Sequence, residues 1–570
     1  MEYNLADLFE SVVDVVPGRE ALVYVDHPGT GAERRLTYAD LDGAANRIGH
    51  HLIDSGLRPG EHLGLHLYNG VEYLQTLLGC LKARIVPVNV NYRYVEEELV
   101  YLYRDADLTA LVFDAEFTDR VAAAAARAEK LRHLIRVGRP GHPTRWAPAQ
   151  AGGRPVPDCT EFTDAEAAGS PERGFGPRSA DDQFIIYTGG TTGMPKGVMW
   201  RQEDLFFAGL GGGAPTGDPV RRPQELAERA AAGGEGITFF PTPPLMHGTS
   251  TLTTFVGLNY GQRVVLHRKY VPEEVLRTIE RERVTSVSLV GDAMLRPLID
   301  ALNGPLKGTD LSSVFSISSS GAIMSETVRD QLASLAPHAI VLNNFGSSES
   351  GFNGTATDDS GHANGFRLRV NSRTQVVDPI TREPVPPGVP GRIAQRGHVP
   401  LGYYNDPKKT AETFFRKGRE RWVLLGDMAT VDEEGVVTVL GRGSQCINTG
   451  GEKVYPEEVE QVLKAHPDVY DALVAGVPDT TWGNHVAAVV QLRDGAQPLD
   501  LEAVRAHCRS SLAGYKIPRQ LVLATEIQRS PSGKADYRWA RALAAGDGSP
   551  RRSDPGRRGQ PPGGTQGQRP

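Results

Sequence analysis

The 570 residues include 62 basic and 69 acidic side chains, for a formal net charge of −7, and 39% are hydrophobic. That length exceeds what one hydrophobic core serves, so at least two domains are expected, and the lack of a basic excess argues against nucleic acid as the main partner. Four cysteines, Cys80, Cys159, Cys446 and Cys508, are too few and too scattered for a disulfide framework or a CxxC metal site, which fits a cytoplasmic protein.

The first stretch, "MEYNLADLFESVVDVVPG", has acids where a secretory signal needs a basic segment and then a continuous apolar one, so no export is expected. In "LTYADLDGAANRIGHHLIDSG", Thr37 caps a predicted helix with Asp40 three residues on, Leu41, Ala45, Ile48 and Leu52 share a face, and Gly56 is the stop. Strand-like "HLGLHLY", helix-like "VEYLQTLLGCLKA" and strand-like "IVPVNV" follow, and the alternation recurs over 285–302 and 314–342. It predicts an α/β domain. Residues 138–182, rich in Pro, Gly, Arg and Ala without periodicity, read as a long surface connection.

"YTGGTTGMPKG", 187–197, concentrates glycines and threonines around Lys196. Glycine lets backbone N–H groups approach an anion, threonine adds hydroxyl donors and lysine adds charge, so the loop reads as a phosphate holder. Pro195 and Gly197 flank Lys196 where a P-loop needs Gly and Ser/Thr, and "FIIY" and "GVMW" on either side predict a turn between two strands. "GLGGGA", 209–214, formally matches a dinucleotide fingerprint but follows no strand, and residues 206–236 read as a flexible insertion ending in a short helix. There is no HExxH, and 346–350 misses GxSxG at its last position, which argues against a zinc protease and a serine hydrolase.

Residues 237–262 carry no Asp, Glu, Lys or Arg, but Pro241, Pro243 and Pro244 spoil a membrane helix, so no integral membrane segment is expected and the stretch reads as buried and site-lining. After Gly441 the pattern changes to a helix opened by Pro456, strands near 470–476 and 485–491, and a helix from about Asp500, a small α+β unit. The expected division is 1–442, 443–545 and a disordered tail, 546–570, too poor in apolar residues to fold.

Five motifs, "YTGGTTGMPKG", "NNFGSSES", "LLGDMA", "GRGSQCINTGGEKVYPEEVE" and "SPSGKADYR", resemble in order and spacing those of the adenylate-forming enzymes: acyl-CoA synthetases, firefly-luciferase-like enzymes and peptide-synthetase adenylation domains. The resemblance runs from about residue 10 to 545. It implies a large N-terminal α/β domain with a smaller mobile α+β C-terminal domain. It also implies a reaction in which a carboxylate attacks the α-phosphate of ATP, releases pyrophosphate and passes as acyl-adenylate to a thiol.

By the same resemblance Thr188, Gly189, Gly190, Thr191, Thr192 and Lys196 hold the β/γ-phosphates. Phe345 stacks on adenine with Gly346 beside it, Gly321 and Ala322 run along the base, Ser348 donates to the α-phosphate, and Glu349 holds Mg²⁺. Asp427 and Arg442 contact the ribose, Lys534 bridges carboxylate and α-phosphate, and His247 lies beside the carboxylate. Gly451 and Lys453 match the loop that meets the CoA pantetheine after the small domain turns, and Ser444 stands where the hinge usually carries Asp or Lys.

An amino-acid substrate would call for an aspartate soon after His247, but the chain reads "HGTSTLTTF", so a non-amine acid is preferred. Asp292 reads as either a polar pocket contact or a helix cap. The glycine-rich segment is similar to that of actinobacterial-type ligases for long-chain or steroid side-chain acids, and segments 247–256, 288–294 and 318–322 are expected to line a wide acyl pocket. The partners implied are a small carboxylic acid, ATP with Mg²⁺, and CoA, with a carrier-protein thiol as the alternative acceptor; a homodimer is compatible with the sequence.

Overall fold

The computed structural model describes residues 1–26, 33–138, 157–188, 194–214, 217–234, 236–322, 324–356, 366–449, 452–479, 482–530 and 533–546. Among these, three sheets organise the chain. The largest runs in parallel through Ile340–Ser347, Ser316–Ser320, Ser286–Leu289, Thr238–Pro241, Arg263–His267 and Glu20–Val25, and continues in antiparallel strands beyond Ile340–Ser347. The helices Gly248–Asn259, Pro272–Glu282, Gly291–Asn303 and Glu326–Leu335 connect its parallel strands. This arrangement gathers the loops at the carboxyl ends of the strands on one rim, the usual place for a ligand in an open α/β sheet.

A second sheet contains His62–His66, Val86–Asn89 and the hairpin Gln183–Thr188/Lys196–Arg201, in which Thr188 pairs with Lys196. The glycine loop therefore joins two strands, as its flanks predict. The small unit has its own sheet, in which Val469–Asp479 pairs antiparallel with Gly483–Leu492, and its own core, which includes Val459, Leu463, Val474, Val490 and Val504. The architecture is mixed α/β with a large N-terminal part and a smaller α+β C-terminal part.

Local chemistry explains the helix ends. Thr37 and Asp40 form a reciprocal capping box on Tyr38–Asp54, a device worth about 1 kcal/mol. Pro456 opens Pro456–Lys464 with Glu457 and Glu458 in its first turn, and Asp500 caps Leu501–Arg509.

The structure departs from the sequence reading at two connections. The 206–236 stretch is not a loose insertion where it is described: Val220, Leu226 and Ala230 are buried in the main core, and Arg19 donates to the Ala230 carbonyl at 3.2 Å. Its helix, Gln224–Ala232, is built of good helix formers but at 9 residues is too short to stand alone in water, and those apolar contacts hold it in place. The 138–182 connection also carries structure, a strand at Cys159–Glu161 and a helix at Phe162–Ala168 that buries Phe162 and Ala165. The tail beyond 546 lies outside the described residues.

Candidate active site

A cavity of about 2090 Å³ opens at the rim of the parallel strands, with walls from both parts of the chain. This is roughly twice the upper end of ordinary small-ligand pockets. Of the residues singled out from sequence, Thr188, His247, Gly321, Phe345, Gly346, Ser348 and Lys534 line it. Gly189, Gly190, Thr191, Thr192 and Gly451 lie outside the described residues.

The segment Thr242–His247 leaves the strand Thr238–Pro241 and delivers His247 to the start of the helix Gly248–Asn259. Two asparagines that sequence reading missed hold it in place. Asn69 accepts from the Leu245 N–H at 2.6 Å and donates to the Pro243 carbonyl, and Asn89 donates to the carbonyls of Met246, at 2.7 Å, and Tyr187, at 2.9 Å. Asn89 thereby ties the phosphate-loop strand to the histidine loop. The His247 Nε2 atom is buried without a partner among the described residues. Burial, aided by the positive charges of Lys534 and Arg93, pushes its pKa down to about 3, so the imidazole is neutral.

Ser348 and Glu349 sit in the turn after Ile340–Ser347. Trp200 donates to the Ser348 carbonyl at 2.9 Å and the Glu349 N–H to Ser347 Oγ at 3.3 Å. Gly351 has φ of +70° and passes close to the backbone of Ala208, so no side chain fits there. Glu349 is half-buried, and Tyr403 donates to its Oε1 at 3.0 Å. Burial and the Glu349 charge push the Tyr403 phenol well up, which keeps it a donor. Lys196 pairs with Asp406 at 2.7 Å and lies 5.5 Å from the centre of the Tyr403 ring. Tyr403 and Asp406, in "GYYNDP", were also missed from sequence; the Asp-Pro helix start at 406–407 was the only local signal.

Asp427 and Arg442 come together by strand register: they are cross-strand partners in Glu420–Val431 and Val437–Arg442, with Arg442 Nε 3.4 Å from Asp427 Oδ1. Lys534 arrives from the small unit. Its loop closes by a 2.7 Å bond from the Ser530 N–H to the Lys534 carbonyl, and Gly533, at φ +72°, lies so near the large part that a Cβ there would be 3.0 Å from the Val290 carbonyl oxygen. The side chain is exposed and opens onto the cavity, with the cleft walls crowded around it. Burial first and Arg442 second lower its pKa, against the opposing pull of Glu349 and Asp427.

Lys453 is exposed, on the strand Glu452–Val454, and does not line the cavity. Ser444 does line it, in the short turn Gly443–Gln445. Ala322 does not line the cavity; it packs against the neighbouring core and its carbonyl accepts from Ser319 Oγ at 3.4 Å.

Asp292 is neither a pocket contact nor a cap. It is buried, accepts from the Ser325 N–H at 2.8 Å, and its second oxygen lies 3.4 Å from Arg296 and 3.7 Å from Lys464 of the small unit. Lys464 in turn is 3.5 Å from Asp471, which Arg529 grips at 2.7 Å. Although burial works the other way, Lys464 and Arg529 hold the Asp471 carboxyl down at about 2. A charge bridge thus links the two parts beside the cavity.

The pocket prediction is met in part. Residues 247–249, 252, 253 and 256, then 288 and 290, and 318, 320 and 321 line the cavity, which extends past them to Thr285, Ser286, Phe315 and Ser316. No helix among the described residues is long and apolar enough to cross a membrane.

Comparison with known proteins agrees with this geometry. Residues 9–404 match the AMP-binding enzyme family and 458–534 the AMP-binding enzyme C-terminal domain. A medium/long-chain-fatty-acid–CoA/3-oxocholest-4-en-26-oate–CoA ligase of Mycobacterium tuberculosis is 46% identical over 544 residues, 94% of this chain and 95% of that one. A 3-oxocholest-4-en-26-oate–CoA ligase of Rhodococcus rhodochrous is 41% identical over 551 residues, 95% of this chain and 96% of that one. Among solved structures, ATP-bound MatB from Rhodopseudomonas palustris superposes with a TM-score of 0.76 at 26% identity, covering 96% of this chain and 99% of the other.

Proposed function

The chain belongs to the AMP-binding enzyme family, and from that premise we propose that it is an ATP-dependent acid–thiol ligase. It joins a hydrophobic carboxylic acid, a fatty acid or a bulky steroid side-chain acid, to CoA through an acyl-adenylate. The observation that carries this reading is the meeting of two domains at one cavity. Lys534 of the small unit lines it with His247 and Ser348 of the large one, and lies within electrostatic reach of Glu349, Asp427 and Arg442. The four cysteines are free thiols, as suits a cytoplasmic enzyme.

The roles follow from the residue chemistry. Thr188 and the glycine-threonine loop, with Lys196, steady the β- and γ-phosphates, and Ser348 donates to the α-phosphate. Phe345 offers a ring to adenine beside Gly346 and Gly321, and Asp427 and Arg442 offer an acceptor and a donor to the ribose hydroxyls. Glu349 is the carboxylate fitted to Mg²⁺: one oxygen accepts from Tyr403, and a hard cation that keeps waters and substrate phosphates needs only one or two protein carboxylates. When bound, that ion would screen phosphate charge. Lys534 lies between carboxylate and α-phosphate and screens both as they approach, which removes repulsion from the attack. His247, neutral, orients the carboxylate without competing for it as a counter-charge.

We place the boundary between the two domains at 442/443. In the second half-reaction the small domain turns, Lys534 leaves, and the loop with Gly451 and Lys453 comes to the cavity so that the CoA thiol displaces AMP.

The test is pyrophosphate release and AMP formation by the purified chain, with and without CoA, across acids from acetate through palmitate to steroid acids. Acid-dependent pyrophosphate release and CoA-dependent AMP formation are expected. Adenylate that forms but passes only to a phosphopantetheinylated carrier protein would replace CoA as the acceptor, and no release with any acid would overturn the ligase reading.

A further inference from the structure

The sheet floor of the cavity is not uniformly apolar. On Ser286–Leu289 and Ser316–Ser320, alternate side chains face opposite sides, and the positions that line the cavity are all serine: Ser286, Ser288, Ser316, Ser318 and Ser320. The reverse face of the same strands carries Val287, Leu289 and Ile317 in the core, with Ser319 there accepting from the Gly291 N–H. Serine is thus a property of the cavity face, not of the strands.

Register turns these serines into a grid. Ser286 lies beside Ser316 and Ser288 beside Ser318, and the paired hydroxyls are 3.0 and 3.1 Å apart. The first row continues on either side to Phe239 and Ile340, and the second to Pro241 and Leu342. A hydroxyl band two strands wide therefore runs along the floor between apolar margins, its rows about 6.6 Å apart and its columns about 4.8 Å apart. Each Ser–Ser pair uses one O–H and one lone pair, and Ser318 also reaches the Val287 carbonyl at 3.4 Å, but each hydroxyl carries two lone pairs and a proton, so the band retains bonding capacity toward the cavity. Leu252 and Val256, one turn apart on Gly248–Asn259, give the cavity an apolar wall as well. At the far end Ile237, Phe315 and Ile340 line the cavity and remain exposed.

An unbranched alkyl chain has no use for such a band, and an all-apolar floor would hold it better. We propose that the preferred substrate is a rigid fused-ring carboxylic acid with several hydroxyls on one face, its oxygenated face on the serine band and its hydrocarbon face against Leu252 and Val256. This rests on the ligase reading above and narrows it to a facially amphipathic polycyclic acid. From Gly321 to Phe315 the floor spans six residue steps, about 20 Å of strand, long enough for a four-ring skeleton with its acid side chain.

The experiment compares two steroid acids of one skeleton, the 3,7,12-trihydroxylated C24 acid cholate and its ring-deoxygenated counterpart 5β-cholanate, with palmitate as a third acid. The readout is CoA-dependent AMP formation by the full chain. The proposal expects kcat/KM for the trihydroxy acid to exceed that for the deoxygenated acid by at least about tenfold, because a site built to bond hydroxyls discriminates against the analogue that lacks them. In Ser286→Ala/Ser288→Ala/Ser316→Ala/Ser318→Ala the ratio should fall toward one or invert. The ratio is internal to each protein, so a smaller active fraction cancels, and Ser318→Ala alone, expected to lower the ratio by a lesser factor, serves if the quadruple variant does not fold. A ratio at or below one in the unsubstituted chain overturns the proposal, as does turnover of palmitate with neither steroid acid, while the ligase reading survives both. Failure of all three acids counts against the ligase reading as well.

Discussion

Lys82, at the end of the helix Val71–Lys82, has a fully buried side chain and donates at 2.6 Å to both Glu10 and Asp42, which Arg178 and Arg173 also hold. Lys534 stands exposed on the cavity and makes no ion pair among the described residues, although Glu349 and Asp427 lie within electrostatic reach. The first lysine is satisfied by the fold alone. The second has its charge left open toward a cavity, in a place where two anionic groups must be brought together. Enclosed charge that is fully paired marks structure, and accessible charge left unpaired in a cleft between domains marks a place for substrate.

Substitutions can break that contrast. Lys82→Met keeps most of the volume but strands two buried carboxylates, so unfolding by denaturant should show a loss of about 3–5 kcal/mol, a large part of a domain's net stability. A loss below about 1 kcal/mol would mean that Arg178 and Arg173 alone suffice. Lys534→Ala should leave that curve unmoved and slow pyrophosphate release by about 10²–10³-fold, the scale of removing one preorganised charge donor. Acyl transfer from supplied acyl-adenylate should persist, and equal loss in both half-reactions would sink the assignment.

Asp292→Asn weakens the bridge to Lys464 and should slow adenylate formation about three- to tenfold, corresponding to roughly 0.7–1.4 kcal/mol, without slowing transfer from supplied adenylate. If both slow alike, the bridge holds the fold and not the closed arrangement. The last test is a pH slope. Glu457 Oε2 is buried without a partner among the described residues, and burial, with Glu460 nearby, pushes this carboxyl up from 4.5 to about 8. Its native pKa is above the unfolded one, so the native state binds more protons between those values. Stability should therefore fall as pH rises from about 5 to 8.5, and Glu457→Gln should flatten the slope measured by unfolding midpoints.

What the sequence disclosed was local or motif-borne. The Thr37/Asp40 box, the Pro456 helix start and the strand-turn-strand around Lys196 each depend on neighbours within a few residues, and the structure has them all. Phe345, Gly346, Ser348 and Lys534 line one cavity, and Glu349, Asp427 and Arg442 lie within electrostatic reach of Lys534. What stayed hidden depends on contacts across the chain. The Tyr403 bond to Glu349 spans 54 residues, the Lys196 pair with Asp406 spans 210, and Asp292 meets Lys464 only through the docking of one domain on the other. The expected pocket segments held Ser288, Ser318 and Ser320 but not Ser286 or Ser316, and only strand register makes the serines a grid.

The ribose pair Asp427–Arg442 sits immediately before the turn Gly443–Gln445, on which the small domain is proposed to swing, whereas Lys534 belongs to the last loop of that domain, just before the helix Tyr537–Ala545. In a rotating body, points at the axle hardly travel and points at the rim sweep a long arc. A nucleotide held at the axle can stay in its seat while the rim exchanges one set of groups for another, so the reactive intermediate need never be released to water between the two half-reactions.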